Sequence, residues 1–184
     1  MRKDFGAQTW MFPMPVLIVG SYDKEGKADA MNAAWGGIYD TKQIMICLGS
    51  HKTTDNIKEQ GAFTVSFADT AHVVAADYVG IVSANDTPDK MEKSGFHTTK
   101  SNHVNAPIID ELPLTLECKL AKVNEDGIIV GDIVNVSADE RILNAEGKVD
   151  PAKLQAITFD PVGNTYIQLG EKVGNAFADG NKLK

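Results

Sequence analysis

The chain has no excess of positive charge: 18 Lys and Arg stand against 25 Asp and Glu, for a net charge of −7. No basic face is available to neutralise a phosphate backbone, so nucleic acid is excluded as a partner. Cysteine is scarce. Cys47 and Cys118 lie far apart, each in an apolar run, which excludes a disulfide framework and implies buried, inert thiols. No long hydrophobic run exists either. The longest, Met14 to Val19 around Pro15, is far too short to cross a bilayer, so no membrane role is expected. Met1-Arg2-Lys3 leads into Asp4 rather than an apolar h-region, and a cytoplasmic location is expected. His72, His97 and His103 show no spacing with cysteines or carboxylates that marks a metal site or an acid–base pair, so neither a metal nor a catalytic side chain is expected. No Gly-x-Ser-x-Gly elbow appears, and no Gly-x-Gly-x-x-Gly follows a strand.

What is present suits one domain over residues 1–184, with 43% apolar residues to fill its core. Strands are expected over Pro15–Ser21, Ala28–Trp35, Ile44–Leu48 and Ala62–Phe67, with Asp23–Lys27 as a hairpin turn and Gly36-Gly37 as a break. Two helices interrupt them. One runs over Ala71–Tyr78, capped by Asp69 or Thr70, with Val73, Val74 and Tyr78 as an apolar stripe that needs a cover. The other fills Thr87–Gly95, with Thr87 as cap and Pro88 in the first turn. His97–Asn105 reads as loop. A long twisted hairpin follows, Leu112–Val123 with Ile128–Val136, and Gly131 marks a bulge within it. Tyr166–Leu169 is a last short strand. Many strands in hairpin order with few helices predict a mainly β chain, an antiparallel barrel that is closed or partly closed.

One stretch carries chemistry. The apolar strand Ile44–Leu48 feeds a short helix, Asp55–Gln60, through Gly49-Ser50-His51-Lys52-Thr53-Thr54. Free N–H groups and the dipole at a helix start attract anions. Lys52 adds a full charge, and Ser50, Thr53 and Thr54 add donors, so the turn suits a phosphate. The same residues also suit a capped helix with a solvated lysine.

Pro13 to Gly20, Asn32-Ala33-Ala34-Trp35 and Ser50-His51-Lys52-Thr53-Thr54 together resemble the flavin reductase-like, flavoredoxin-type family. Gly80-Ile81-Val82-Ser83, Asp89-Lys90-Met91, Ala106-Pro107-Ile108 and Val173-Gly174-Asn175-Ala176-Phe177 extend the likeness from about Trp10 to Gly180. The resemblance implies an FMN-binding split β-barrel, Greek-key-like and antiparallel, acting as a homodimer. It assigns the FMN phosphate to Ser50, His51, Lys52, Thr53 and Thr54, and the flavin ring to Asn32, Ala33, Ala34 and Trp35. Ser66 and Phe67 can line the same pocket, and Lys90 can face the flavin or a dimer partner. Family reductases that use nicotinamide carry a Gly-Asp-His run in the late hairpin. Here Glu125-Asp126-Gly127-Ile128-Ile129 and Gly131-Asp132-Ile133 hold no histidine. Three readings follow: an FMN oxidoreductase, with NAD(P)H as a possible donor; an FMN electron carrier reduced by a partner protein; or a non-catalytic barrel for another phosphorylated ligand.

Overall fold

A computed structural model describes residues 1–184. Its strands and helices, in chain order, are β1 (Met14–Pro15), β2 (Leu17–Tyr22), β3 (Ala28–Ala33), β4 (Gly36–Asp40), β5 (Gln43–Cys47), α1 (Lys52–Gln60), β6 (Ala62–Phe67), α2 (Val73–Ile81), α3 (Lys90–Ser94), β7 (Thr98–Lys100), β8 (Pro107–Ile109), β9 (Leu114–Val123), β10 (Ile128–Ala138), α4 (Pro151–Leu154), β11 (Ile157–Asp160) and β12 (Thr165–Gln168). Short 3₁₀ turns follow β10 and β12.

Seven strands form one antiparallel sheet in the order β3-β2-β6-β9-β10-β5-β4. β3 and β4 are adjacent in sequence but lie at opposite ends of that order, so the sheet curls without closing on itself. A three-stranded sheet, β1-β11-β12, and the pair β7-β8 complete the fold.

The curl follows from how the strands are filled. Phe63, Val65 and Phe67 alternate along β6 and meet Leu17, Ile46, Leu116 and Ile129 in the main core. Ile57 from α1 packs into the same core. The other side of the sheet buries Ile18 and Ala30 against Ala76 and Val79 of α2, Phe96 and Ile109. Both faces of β2 and β6 are therefore buried, and the polar side chains of β6, Thr64 and Ser66, bond to Pro107 O and to Thr115. At Gly131 the pairing of β9 and β10 shifts register, and an added Cβ would run into the Phe63 ring. The expected bulge is there, and the missing side chain is what lets the hairpin bend over the core.

Several expectations change. Gly36-Gly37 does not break a strand; it begins β4. A Cβ at Gly36 would stand 2.8 Å from Leu17 Cδ1, so this glycine serves close packing. His97–Asn105 is not all loop, because Thr98–Lys100 pairs with Pro107–Ile109. The second helix is shorter than expected: Thr87 accepts through its carbonyl from Lys90 N in a turn, and the helix spans only Lys90–Ser94. Asp69 does receive the N–H groups of Ala71 and His72, but the helix it introduces starts at Val73. The Val73/Val74/Tyr78 stripe is divided. Val73 and Tyr78 pack against the second core, and Val74 alone points outward. Those two therefore need no further cover.

Candidate functional site

Helix α1 begins on a bare N-terminus. Neither Ser50 nor a threonine caps it: the N-cap position is His51, extended at φ −134° and ψ 160°, with no side-chain cap bond. Thr54 Oγ1 turns back to donate to Gly49 O at 2.7 Å, and Thr53 Oγ1 donates to Asp29 Oδ2 at 2.7 Å. The threonine hydroxyls are thus committed within the protein. What faces outward is the backbone: no group of the chain accepts from the N–H of Lys52, Thr53 or Thr54. Such orphan donors at the positive end of a helix dipole make an anion seat.

A cleft of about 120 Å³ opens beside this N-terminus. α1 contributes His51, Lys52 and Thr53; β3 contributes Asp29 and Met31; the end of α2 and the turn after it contribute Val79 to Ala84; α3 contributes Lys90. A neighbouring recess of about 160 Å³ shares Asp29, Lys52, Ala84 and Lys90 and reaches the β2–β3 turn at Asp23 and Lys27. Lys90 is only 3% exposed and Asp29 4%. The Lys90 ammonium lies 3.5 Å from Asp29 Oδ1, which has no other donor near it. Burial pulls the Lys90 amine below its ordinary range, and the Asp29 charge works against that pull.

The other predicted residues fall elsewhere. Asn32, half-buried on the α2 side of β3, donates its amide to Ala76 O at 3.0 Å. Gly80 allows that approach, since a Cβ there would lie 2.9 Å from Asn32 Cβ. Ala33 is part of the main core, and Ala34 is half-buried in the turn to β4. Trp35, 56% exposed, lines a separate apolar groove of about 380 Å³ with Trp10, Met11, Met14, Met45 and Cys47. Ser66 is fully buried against Thr115 at 2.8 Å, and Phe67 packs on the main core. Neither Ser66 nor Phe67 lines the cleft or the groove. Ser50 is exposed just outside the cleft.

Two histidines do have carboxylate partners, against expectation. His72 Nδ1 meets Asp69 Oδ1 and His97 Nδ1 meets Glu111 Oε1, each at 2.7 Å. Sequence separation hid the second pair, because β7 and β8 bring it together. Neither pair borders the cleft or the groove. Sequence reasoning also missed Asp29, Met31 and the run Val82-Ser83-Ala84 as cleft walls. The Gly80-Ile81-Val82-Ser83 match was a signal for Val82 and Ser83 alone.

The model of the flavin reductase like domain matches residues 9–153. The chain belongs to that family. Its structure is similar to the flavoredoxin of Desulfovibrio vulgaris (Miyazaki F), at 36% identity and a TM-score of 0.94, over 98% of this chain and 100% of that one. It is also similar to the flavoredoxin from Methanosarcina acetivorans, at 29% identity and a TM-score of 0.87, over 100% of both. At 22% identity, Pseudomonas fluorescens 2-nitrobenzoate 2-nitroreductase shares the fold, with a TM-score of 0.80 over 92% of this chain and 87% of that one. No curated protein sequence matches the chain. The expected split-barrel architecture is the one observed.

Proposed function

We propose that this flavin reductase-like protein is an FMN-dependent oxidoreductase, acting as one domain over residues 1–184 and as a homodimer. The observation that carries the reading is the anion seat: orphan N–H groups at the start of α1, with Lys52 and Lys90 beside them. The residues present fit the phosphate end of FMN. When bound, FMN supplies the two-electron redox chemistry. The chain's own work is to hold and orient it. The N–H groups of Lys52, Thr53 and Thr54 would donate to the phosphate, Lys52 and Lys90 would balance its charge, and His51 would line its seat.

A ligand pocket for a molecule this size holds roughly 300–1,000 Å³. The cleft at about 120 Å³ seats only one end. The flat apolar groove at Trp35 suits the ring end. That groove is open, and the segment beyond β12 leaves Val173 and Phe177 fully exposed. These uncovered apolar groups support a second copy as the missing wall. Both cysteines are free thiols, which supports a reducing compartment such as the cytoplasm.

A second reading has its own observation. The β9–β10 turn, Glu125 to Ile128, brings no histidine, and it lies apart from the cleft and the groove. That favours an electron carrier of the flavoredoxin type, reduced by a partner protein rather than by NAD(P)H. Stopped-flow mixing of the flavin-loaded protein with NADH and with NADPH separates the two. Fast flavin bleaching establishes the reductase, and its absence leaves the carrier. A colourless purified protein that does not take up added FMN would refute both and leave a barrel for another phosphorylated ligand.

A further inference from the structure

We propose that Asp29 is a positioning residue that makes the cleft selective for a phosphate, by fixing the Lys90 ammonium against the N-terminus of α1. The inference rests on the FMN reading above and assigns a role to a residue which that reading leaves out.

A carboxylate in the wall of an anion seat is a paradox unless its charge is used locally. Here it is used. Asp29 Oδ2 accepts from Thr53 in the first turn of α1, and Oδ1 faces Lys90 on α3. One side chain on β3 thus ties together the two elements that supply the cations. Both members of the ion pair are shielded from water. The Lys90 ammonium donates to no carbonyl or hydroxyl of the protein, so its protons away from Asp29 point to the cleft that it lines. Oδ1 is one of only two buried side-chain polar atoms in the chain without a hydrogen bond. The other charged or titratable groups about the cleft are accounted for. Lys52 and His51 stand at the start of α1, Asp23 accepts from its own turn, Lys27 reaches Pro88 O, and Asp89 pairs with Lys93 at 3.0 Å. None of them replaces Asp29 as the counter-ion of Lys90. Without it a buried cation has no partner, and the lysine must lose its proton or swing away.

The sign of one substitution decides the matter. If Asp29 were merely a nearby anion, Asp29→Asn would relieve repulsion and tighten FMN. If it positions Lys90, Asp29→Asn weakens FMN by about tenfold to a hundredfold and leaves riboflavin, which lacks the phosphate, within about threefold. Both affinities are read by quenching of flavin fluorescence on protein shown by circular dichroism to be folded. Adding Asp29→Asn to Lys90→Met should weaken FMN no further, because the residue acts through the lysine. Should Asp29→Asn not fold, Thr53→Val releases Oδ2 at constant shape and should lower the FMN preference several-fold. Tightened FMN, an unchanged preference in the folded variant, or equal loss of both ligands overturns the proposal. Wild-type protein that shows no preference for FMN over riboflavin refutes the phosphate seat itself, a separate result.

Discussion

The cleft at α1 and the groove at Trp35 are two stations on one stretch of chain, built on opposite principles. Asp29 lies on β3, and Trp35 lies in the short turn that follows it. The cleft is small, and its Asp29 and Lys90 are buried as an ion pair, with Asp29 also held by Thr53, so its shape is set within one chain. The groove is larger and apolar, and its aromatic wall stands in solvent. Charge needs fixed partners to be held out of water, so the end that takes a phosphate must be prebuilt. A flat apolar ring needs only area, and a second surface can supply that later.

The sharpest contrast to test is between the groove wall and the core behind it. Cys47 is half-buried and lines the groove, while Cys118 is fully buried. Burial, with smaller contributions from Asp132 and Glu117, pushes the Cys118 thiol up to about 12. Only the thiolate reacts. At pH 8 a thiol with a pKa near 12 is on the order of 10⁻⁴ ionised. Iodoacetamide should therefore leave Cys118 almost unlabelled while Cys47, which borders the groove, reacts, as read by mass spectrometry of peptides. Labelling of Cys47 should also slow as protein concentration rises, if a second copy closes the groove. Equal rates at both thiols would mean that the core opens as readily as the groove.

The next contrast separates phosphate from ring. Lys52→Ala should weaken FMN by about tenfold to a hundredfold and riboflavin far less, since a charge-assisted contact contributes about 1.5–3 kcal/mol. Trp35→Ala should weaken both ligands alike, by about tenfold, because it removes apolar contact common to the two. Titration of both ligands against both variants checks it. A Trp35→Ala variant that discriminates between FMN and riboflavin would place the phosphate in the groove instead.

Much of this architecture was legible in the residues. Ala62–Phe67 alternates and is a strand with those bounds; Gly61 at φ 67° stops α1 where a left-handed residue is needed. A helix after the strand and turn was visible, but it was expected from Asp55; it starts at Lys52, so Lys52, Thr53 and Thr54 form its first turn rather than the turn before it. The site was legible only where it is local. Lys52 and Thr53 are neighbours in sequence, but Asp29 and Lys90 meet only because β3 and α3 pack together, and no periodicity encodes that. Ser66 illustrates the reverse error. It follows the phosphate helix closely in sequence, yet β6 lies mid-sheet, where Thr115 of β9 takes its hydroxyl.

The smallest expected effect concerns the helix that walls the cleft. α2 carries one cleft wall at Val79 to Ile81 and is clamped to β3 through Asn32 and to β12 through Tyr166, whose hydroxyl donates to Asp77 Oδ1 at 2.7 Å. Burial first, and then the Asp77 carboxylate, push the Tyr166 phenol up to about 12 from its ordinary 10. A raised folded-state value means that the clamp's contribution is whole below pH 10 and is lost as pH rises from 10 through 12. Tyr166→Phe deletes the donor but keeps the ring against Phe159. It should lower stability by about 0.5–1.5 kcal/mol at neutral pH, the net worth of one hydrogen bond. Urea unfolding at pH 7 and at pH 11 checks the sign: the gap between wild type and variant should narrow at the higher pH. If α2 transmits this clamp to the cleft, the variant should also lose about twofold in FMN affinity while its riboflavin affinity stays level. A gap that widens with pH would show that the folded protein favours the phenolate, so that Asp77 does not hold the proton on the phenol.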